Sequence, residues 1–226
     1  MNIGILGTGM VGQTLAARLT ELGHSVVIGT RDPARTLANT RPDGMGNPPF
    51  SVWHRQNPQV NLATFAQAAA HGEIILNATS GSASLEALKL AGAGNLNGKT
   101  LMDISNPLDF AKGMPPSLFV SNTDSLGEQT QRAFPEVKVV KALNTTNANV
   151  MARPRLLADG DHTMFVCGNE AGAKAQVVEL LKSLGWRDII DLGDISNARG
   201  MEMLLPIWVR LFGALQTPLF NFKIAR

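Results

Sequence analysis

Asn2-Ile3-Gly4-Ile5-Leu6-Gly7-Thr8-Gly9-Met10-Val11-Gly12 opens the chain with a short apolar run and three glycines in the spacing GxGxxG. Asn2 to Leu6 reads as a strand. Met10 to Leu22 reads as a helix, with Val11, Leu15, Leu19 and Leu22 on one face and Gly23 as its C-terminal cap. Glycines alone say little, but a glycine triplet between a strand and an amphipathic helix is a specific signal. Gly7 permits the tight turn, Gly9 lets a pyrophosphate approach the backbone, and Gly12 lets helix and strand pack closely. With Thr8, Met10 and Val11 completing the turn, the helix would offer unpaired N–H groups and its positive dipole end to an anion.

Outward from this turn, short apolar runs alternate with helical stretches, the pattern of βαβ units and a parallel sheet. Strands are expected at Ser25 to Ile28, around Val60 to Leu62, and at Glu73 to Ala78, Thr100 to Ile104, Val137 to Leu143, His162 to Cys167 and Asp188 to Asp191. Helices are expected from Asp32-Pro33 onward and at Thr64 to Ala70, Ser84 to Ala91, Leu126 to Ala133, Glu170 to Leu184 and Ala198 to Leu215. Ser125 to Glu128 has the form of a capping box. Residues 39–59, with Pro42, Gly44, Gly46, Pro48, Pro49 and Pro58, read as a long irregular excursion. The fold class is α/β: a Rossmann-like, doubly wound, mostly parallel sheet over residues 1–147. A small mixed α/β C-terminal subdomain over residues 148–226 would close a substrate cleft.

The end of the second strand selects the nucleotide. Sites for NAD place an acid there to hold the ribose 2′-hydroxyl. Asp32 lies near the right distance, but Pro33 beside it marks Asp32 as the N-cap of the next helix. Thr30 and Arg31 then occupy the strand tip, with Arg35 one turn further on. A hydroxyl and two guanidinium groups suit the extra phosphate of NADP. Two charge-assisted bonds of roughly 1.5–3 kcal/mol each would give on the order of a hundredfold preference over NAD.

Composition narrows the classes. The 226 residues are 44% hydrophobic and 17% charged, as in a globular protein with a sizeable core, and the net charge of +2 gives no basis for binding nucleic acid. The single Cys167 rules out an internal disulfide and reads as a buried small hydrophobe. No secretory pattern or membrane-spanning run stands in the sequence, so a cytoplasmic location without membrane attachment is expected. The four histidines, His24, His54, His71 and His162, show no metal-ligand spacing, and no metal is expected.

The other strand ends carry Asn77-Ala78-Thr79-Ser80-Gly81-Ser82, Asp103-Ile104-Ser105-Asn106-Pro107 and Leu143-Asn144-Thr145-Thr146-Asn147. Their tips read as small, polar and uncharged. Such groups suit ribose and carboxamide, and they are also ordinary turn residues. No general acid or base stands out, so chemistry with little proton transfer fits best. Direct hydride passage between two rings is such a reaction.

On these residues the chain resembles the F420-dependent NADP oxidoreductase family, and the family's N-terminal domain is similar to the reductase domain of STEAP metalloreductases. The likeness rests on GILGTGMVG, on VVIGTRDP with Arg35, on Val140 to Thr145, and on Phe165 to Gly168 with Asp191 to Arg199. The resemblance implies NADP as cofactor, with F420 or a flavin (FMN or FAD) as the second substrate. It implies NADP contacts at Thr8, Thr30, Arg31, Arg35, Thr79 and Asn144, with Ser80 at the same rim, and a cleft drawing on Met10, Asn106 and the segment around Met201. Two departures bear on the second substrate: Ser80-Gly81 replaces the family's Pro, and the excursion through Met45 to Pro49 is longer than usual.

Two other readings stay open. One is a β-hydroxyacid dehydrogenase or imine reductase, whose long all-helical second domain is not apparent here. The other is a non-enzymatic NADPH-sensing module. The apolar final helix, with Leu204, Leu205, Ile207, Trp208, Leu211, Phe212 and Leu215, reads as core or as part of a homodimer interface.

Overall fold

The computed structural model describes residues 1–42 and 46–226. Gly44 and Met45 of the expected excursion lie outside the described residues.

The first half winds about β1 (Asn2–Leu6), which leads through α1 (Met10–Glu21) to β2 (Ser25–Thr30). After α2 (Pro33–Ala38) and α3 (Phe50–Gln56) come β3 (Asn61–Thr64), α4 (Phe65–His71), β4 (Ile74–Asn77), α5 (Gly81–Ala91), α6 (Ala93–Leu96) and β5 (Thr100–Asp103). A two-strand ribbon, β6 (Leu108–Asp109) with β7 (Ser117–Leu118), precedes α7 (Leu126–Ala133) and β8 (Lys138–Ala142). The remainder is α8 (Ala148–Ala152), β9 (Thr163–Gly168), α9 (Ala171–Leu184), β10 (Asp188–Asp191), α10 (Ala198–Met203) and α11 (Leu205–Leu215).

Eight strands form one sheet in the order β10-β9-β8-β5-β4-β1-β2-β3. All neighbours are parallel except β8 and β9. Central β1 has no exposed side chain from Ile3 to Leu6, and burying each Ile or Leu is worth roughly 1.5–3 kcal/mol. It pairs with β2 on one side and β4 on the other, and this reversal of winding opens the crevice where doubly wound sheets bind ligands. One core cluster includes Leu15, Leu19, Phe50, Met151, Leu180 and Trp186; the other includes Phe65, Leu88, Phe134, Val139 and Met201. β9 and β10 extend the same sheet, so the strands beyond residue 147 build no sheet of their own.

Three expectations need correction. Residues 39–59 are not irregular throughout, because α3 lies within them. Pro48 and Pro49 precede that helix rather than break it, and the Phe50 ring lies tilted against Trp53 (centroids 5.4 Å) while both pack on the core. The single helix expected from Ala198 to Leu215 is two helices meeting at Leu204. Pro206 has no N–H for the carbonyl of Glu202 and its ring crowds that carbonyl, which ends α10 there. A short helix, α8, follows β8 where none was expected, its start capped by Asn147, whose side chain accepts from the Asn149 N–H. In α11 only Leu205 and Val209 are buried, while Ile207, Phe212 and Leu215 are exposed.

Candidate functional site: a dinucleotide crevice

The glycine turn shows why these positions lack side chains. Gly7 has φ +118°, and a Cβ on Gly12 would stand 2.1 Å from the Gly7 carbonyl oxygen, closer than any real contact. At Gly9 a Cβ would meet nothing within 4 Å, so the turn faces open space. α1 begins there with no side-chain cap and no acidic residue in its first turn, which leaves its N–H groups available to an anion. A cavity of about 400 Å³ adjoins the turn, lined by Gly7, Gly9, Thr30, Arg31, Phe65 and Thr79 among others.

At the β2 rim Asp32 is committed as the sequence implies, its Oδ1 accepting the Arg35 N–H at 3.0 Å. It is therefore the N-cap of α2. Arg31 and Arg35 are exposed, and among the described residues neither has an ion-pair partner. Thr30 is less free. The Thr36 hydroxyl donates to the Asp32 carbonyl at 2.8 Å, so the proton in the 2.9 Å Thr30–Thr36 bond comes from Thr30. In this arrangement Thr30 shows a phosphate only lone pairs. The guanidinium groups are the donors here.

Across the crevice a second cavity, about 240 Å³, is lined by Val11, Thr79, Ser80, Ile104, Asn106 and Phe110 among others. Asn106 and Asn144 grip each other: Asn106 Nδ2 donates to the Asn144 carbonyl at 2.9 Å, and Asn144 Nδ2 to Asn106 Oδ1 at 3.0 Å. Among the described residues, Asn144 Oδ1 and the hydroxyls of Thr145 and Thr146 are buried without a partner. Leu143, just before them, is fully buried at φ +62°, a left-handed conformation that costs roughly 1–2 kcal/mol for a residue with a Cβ. Strain and unmet polar groups together are marks of a binding site.

On the other flank of the turn the excursion walls a third cavity, about 510 Å³, lined by Thr8, Met10, Gln13, Arg41, Trp53 and Gln56 among others. Met10 is 41% exposed there. Met201 does not reach the crevice surface. Its side chain is 1% exposed within the core, and only its carbonyl takes part, accepting from Asn144 Nδ2 at 3.1 Å.

A solved structure from Arthrobacter sp. FB24, provisionally described as an F420-dependent NADP-reductase, is 61% identical, with a TM-score of 0.96 and 100% of both chains covered. Residues 2–107 also match the family described as NADP oxidoreductase, coenzyme F420-dependent. This chain belongs to the F420-dependent NADP oxidoreductase family. Membership makes it an NADP-dependent oxidoreductase by class. The F420-dependent NADP reductase of Methanothermobacter marburgensis is 26% identical, with 93% of this chain and 92% of that protein covered. Metalloreductase STEAP3 of Rattus norvegicus is 31% identical over 91% of this chain, and the match spans only 37% of the rat protein.

The residues of this family member fit NADP. An uncapped helix start faces open space at Gly9, and among the described residues two arginines on the β2 rim lack ion-pair partners and orphaned polar atoms stand at the β8 end. Among the described residues no group of His, Cys, Asp and Glu is placed to hold a metal, and no helix is long and apolar enough to cross a membrane. His162 is buried, with Nε2 on the Pro154 carbonyl at 2.9 Å and its ring edge-on to Trp186.

The strand ends are not free of charge beneath their tips. Lys141 and Asp103 are completely buried and Glu202 nearly so, and the ammonium lies 2.8 Å from each carboxylate. Burial pulls the Lys141 pKa down, but the two carboxylates more than offset it and leave it raised to about 12. Sequence reasoning missed this cluster. The available signal was a lysine inside the apolar run of β8, where a charge must find a partner. Burial also pushes the Cys167 thiol up to about 12, as expected of an inert core cysteine.

Proposed function

We propose that the chain transfers hydride between NADP(H) and a planar ring acceptor, F420 or a flavin. The single observation that carries this reading is the pair of guanidinium groups, Arg31 and Arg35, that stand without ion-pair partners among the described residues on the rim that continues from the glycine turn. A rim built for NAD would present a free carboxylate, and Asp32 is occupied as a cap.

In this reading the Gly7–Gly12 backbone and the start of α1 hold the pyrophosphate, and Arg31 and Arg35 hold the 2′-phosphate. Thr79, Ser80, Asn106 and Asn144 wall the nicotinamide end. When bound, NADPH would supply the hydride from its nicotinamide C4. The protein's part is to fix that ring against the acceptor and to keep charge away from it. The Thr79 hydroxyl donates a hydrogen bond to Asn77 Oδ1 at 2.7 Å, which leaves its oxygen able to accept from a ribose hydroxyl. Met10 and Phe110, both exposed at cavity mouths, offer apolar surface to a ring. Residues 148–226 would bound the cleft through α10, and the exposed Ile207, Phe212 and Leu215 would meet a second copy in a homodimer. A cytoplasmic setting would suit such a reductase.

F420 as the acceptor is supported by the Methanothermobacter relative, an F420-dependent NADP reductase, and by the description of the Arthrobacter protein as one. Steady-state oxidation of NADPH with F420 or FMN is the test, run against NADH. Turnover with F420 and a marked NADPH preference are expected. No turnover with either acceptor, or equal rates from the two nucleotides, would sink the reading; sedimentation as a monomer at all concentrations would remove the dimer.

A further inference from the structure

The buried charges beneath the crevice have no task in the cofactor reading, yet their bonds lead into its wall. Lys141 Nζ donates to Asp103 Oδ2 at 2.8 Å and to the Ser105 carbonyl at 2.6 Å, and it lies 2.8 Å from Glu202 Oε1. The other Asp103 oxygen accepts from the Ser105 hydroxyl at 2.7 Å, the Ser105 N–H at 3.2 Å and Asn77 Nδ2 at 2.9 Å. Asn77 Oδ1 in turn accepts the Thr79 hydroxyl. Thr79 and Ser105 both line the 240 Å³ cavity.

From the far side, Glu202 on α10 accepts the Leu126 and Gly127 N–H groups at 2.9 and 3.0 Å. The carbonyl of its neighbour Met201 holds Asn144, which holds Asn106. Two threads therefore join α10 to the nicotinamide end of the crevice, one ionic and one through amides. Neither is hydrogen-bonded to Arg31 or Arg35 of the β2 rim, although Thr79 also lines the cavity that Arg31 bounds. A buried ion cluster is rarely more stabilising than well-packed apolar side chains would be. What this one supplies is a fixed height for the turn at residues 103–106 and a fixed direction for the Thr79 hydroxyl.

We infer that Lys141 is a positioning residue: joined to Asp103 and Glu202, it sets the wall that grips the nicotinamide half of the cofactor and leaves the adenosine half untouched. The inference rests on the NADP reading of the crevice.

Calorimetry with two ligands tests it without turnover. One is 2′,5′-ADP, which carries the adenosine and the extra phosphate but no nicotinamide; the other is NADP⁺. Lys141→Met removes the cation but leaves two buried carboxylates, so it can fail to fold. The neutral triple variant Lys141→Met, Asp103→Asn, Glu202→Gln keeps the volumes without the charges, and thermal melting establishes which variants are folded. In a folded variant, 2′,5′-ADP is expected to bind within about twofold of wild type while NADP⁺ weakens at least fivefold. An unchanged ratio of the two affinities overturns the inference, and so does equal weakening of both ligands, which is general loosening. A wild-type chain that binds 2′,5′-ADP but gains nothing from the nicotinamide half overturns it too, while the phosphate reading stands. Wild type that binds neither ligand overturns the cofactor reading and this inference with it.

Discussion

At the β2 rim, Arg31 and Arg35 stand in solvent without ion-pair partners among the described residues; at the β5 and β8 ends, Lys141 is wholly enclosed and touches two carboxylates. The first arrangement is a charge waiting for a ligand, strong only when the ligand brings the opposite sign and sensitive to salt. The second is satisfied before any ligand arrives and is shielded from salt. The two halves of one crevice thus separate two tasks. On the proposed reading, recognition of the nucleotide would lie on a hydrated, adaptable surface, and placement of the reacting ring on a dry, pre-set frame.

The sharpest way to break this contrast is at Lys141. Lys141→Met leaves uncompensated buried charge and is expected to lower stability by about 3–5 kcal/mol, read as a fall in melting temperature. Because the folded pKa is raised above the ordinary lysine value of 10.5 to about 12, the lysine's contribution is complete below pH 10.5 and is lost as pH rises through 12. Wild type should lose stability over that alkaline span. A melting temperature indifferent to the substitution would show that the frame is not held by these charges.

Arg31→Ala should act in the opposite way, leaving the melting temperature within a degree or two while weakening NADP⁺ by roughly ten- to a hundredfold, from about 1.5–3 kcal/mol of charge-assisted bonding. NAD⁺ affinity should stay level, and the wild-type preference should shrink at high salt. Titrations of both nucleotides at two ionic strengths would show it, and an intact NADP⁺ preference in the variant would refute the rim assignment. The smallest effect is expected at Thr30→Val. Its proton is already given to Thr36, so NADP⁺ should weaken by less than about fivefold, the worth of one neutral hydrogen bond. A larger loss would mean that Thr30 reorients onto the phosphate and belongs with the arginines.

The parts legible in the sequence were those a single residue type dictates. Gly12 has to be glycine because of a backbone contact, and Asp32 followed by Pro33 announces a cap; both could be read locally. Tertiary partners were not legible in the same way. Lys141 acquires its meaning from Asp103, 38 positions away, and from Glu202 on a helix whose end is set by Pro206. Nothing local in Val139-Val140-Lys141-Ala142 says which face of the sheet the lysine takes. The α3 helix was hidden for a related reason: its prolines look like breakers until the burial of Phe50 shows that a helix follows them. Met201 was placed near the crevice by analogy, and the structure keeps only its carbonyl there.

One more consequence follows from the pairing of β8 with β9. Lys141 lies directly across from Cys167, the sole thiol of the chain, fully buried in the described fold. An opening that parts β8 from β9 would uncover that sulfur. A slow thiol-specific label would then act as an internal clock for the rare openings of the frame, with no dye or tag engineered in, and its rate with and without nucleotide would report how firmly the cofactor holds the sheet shut.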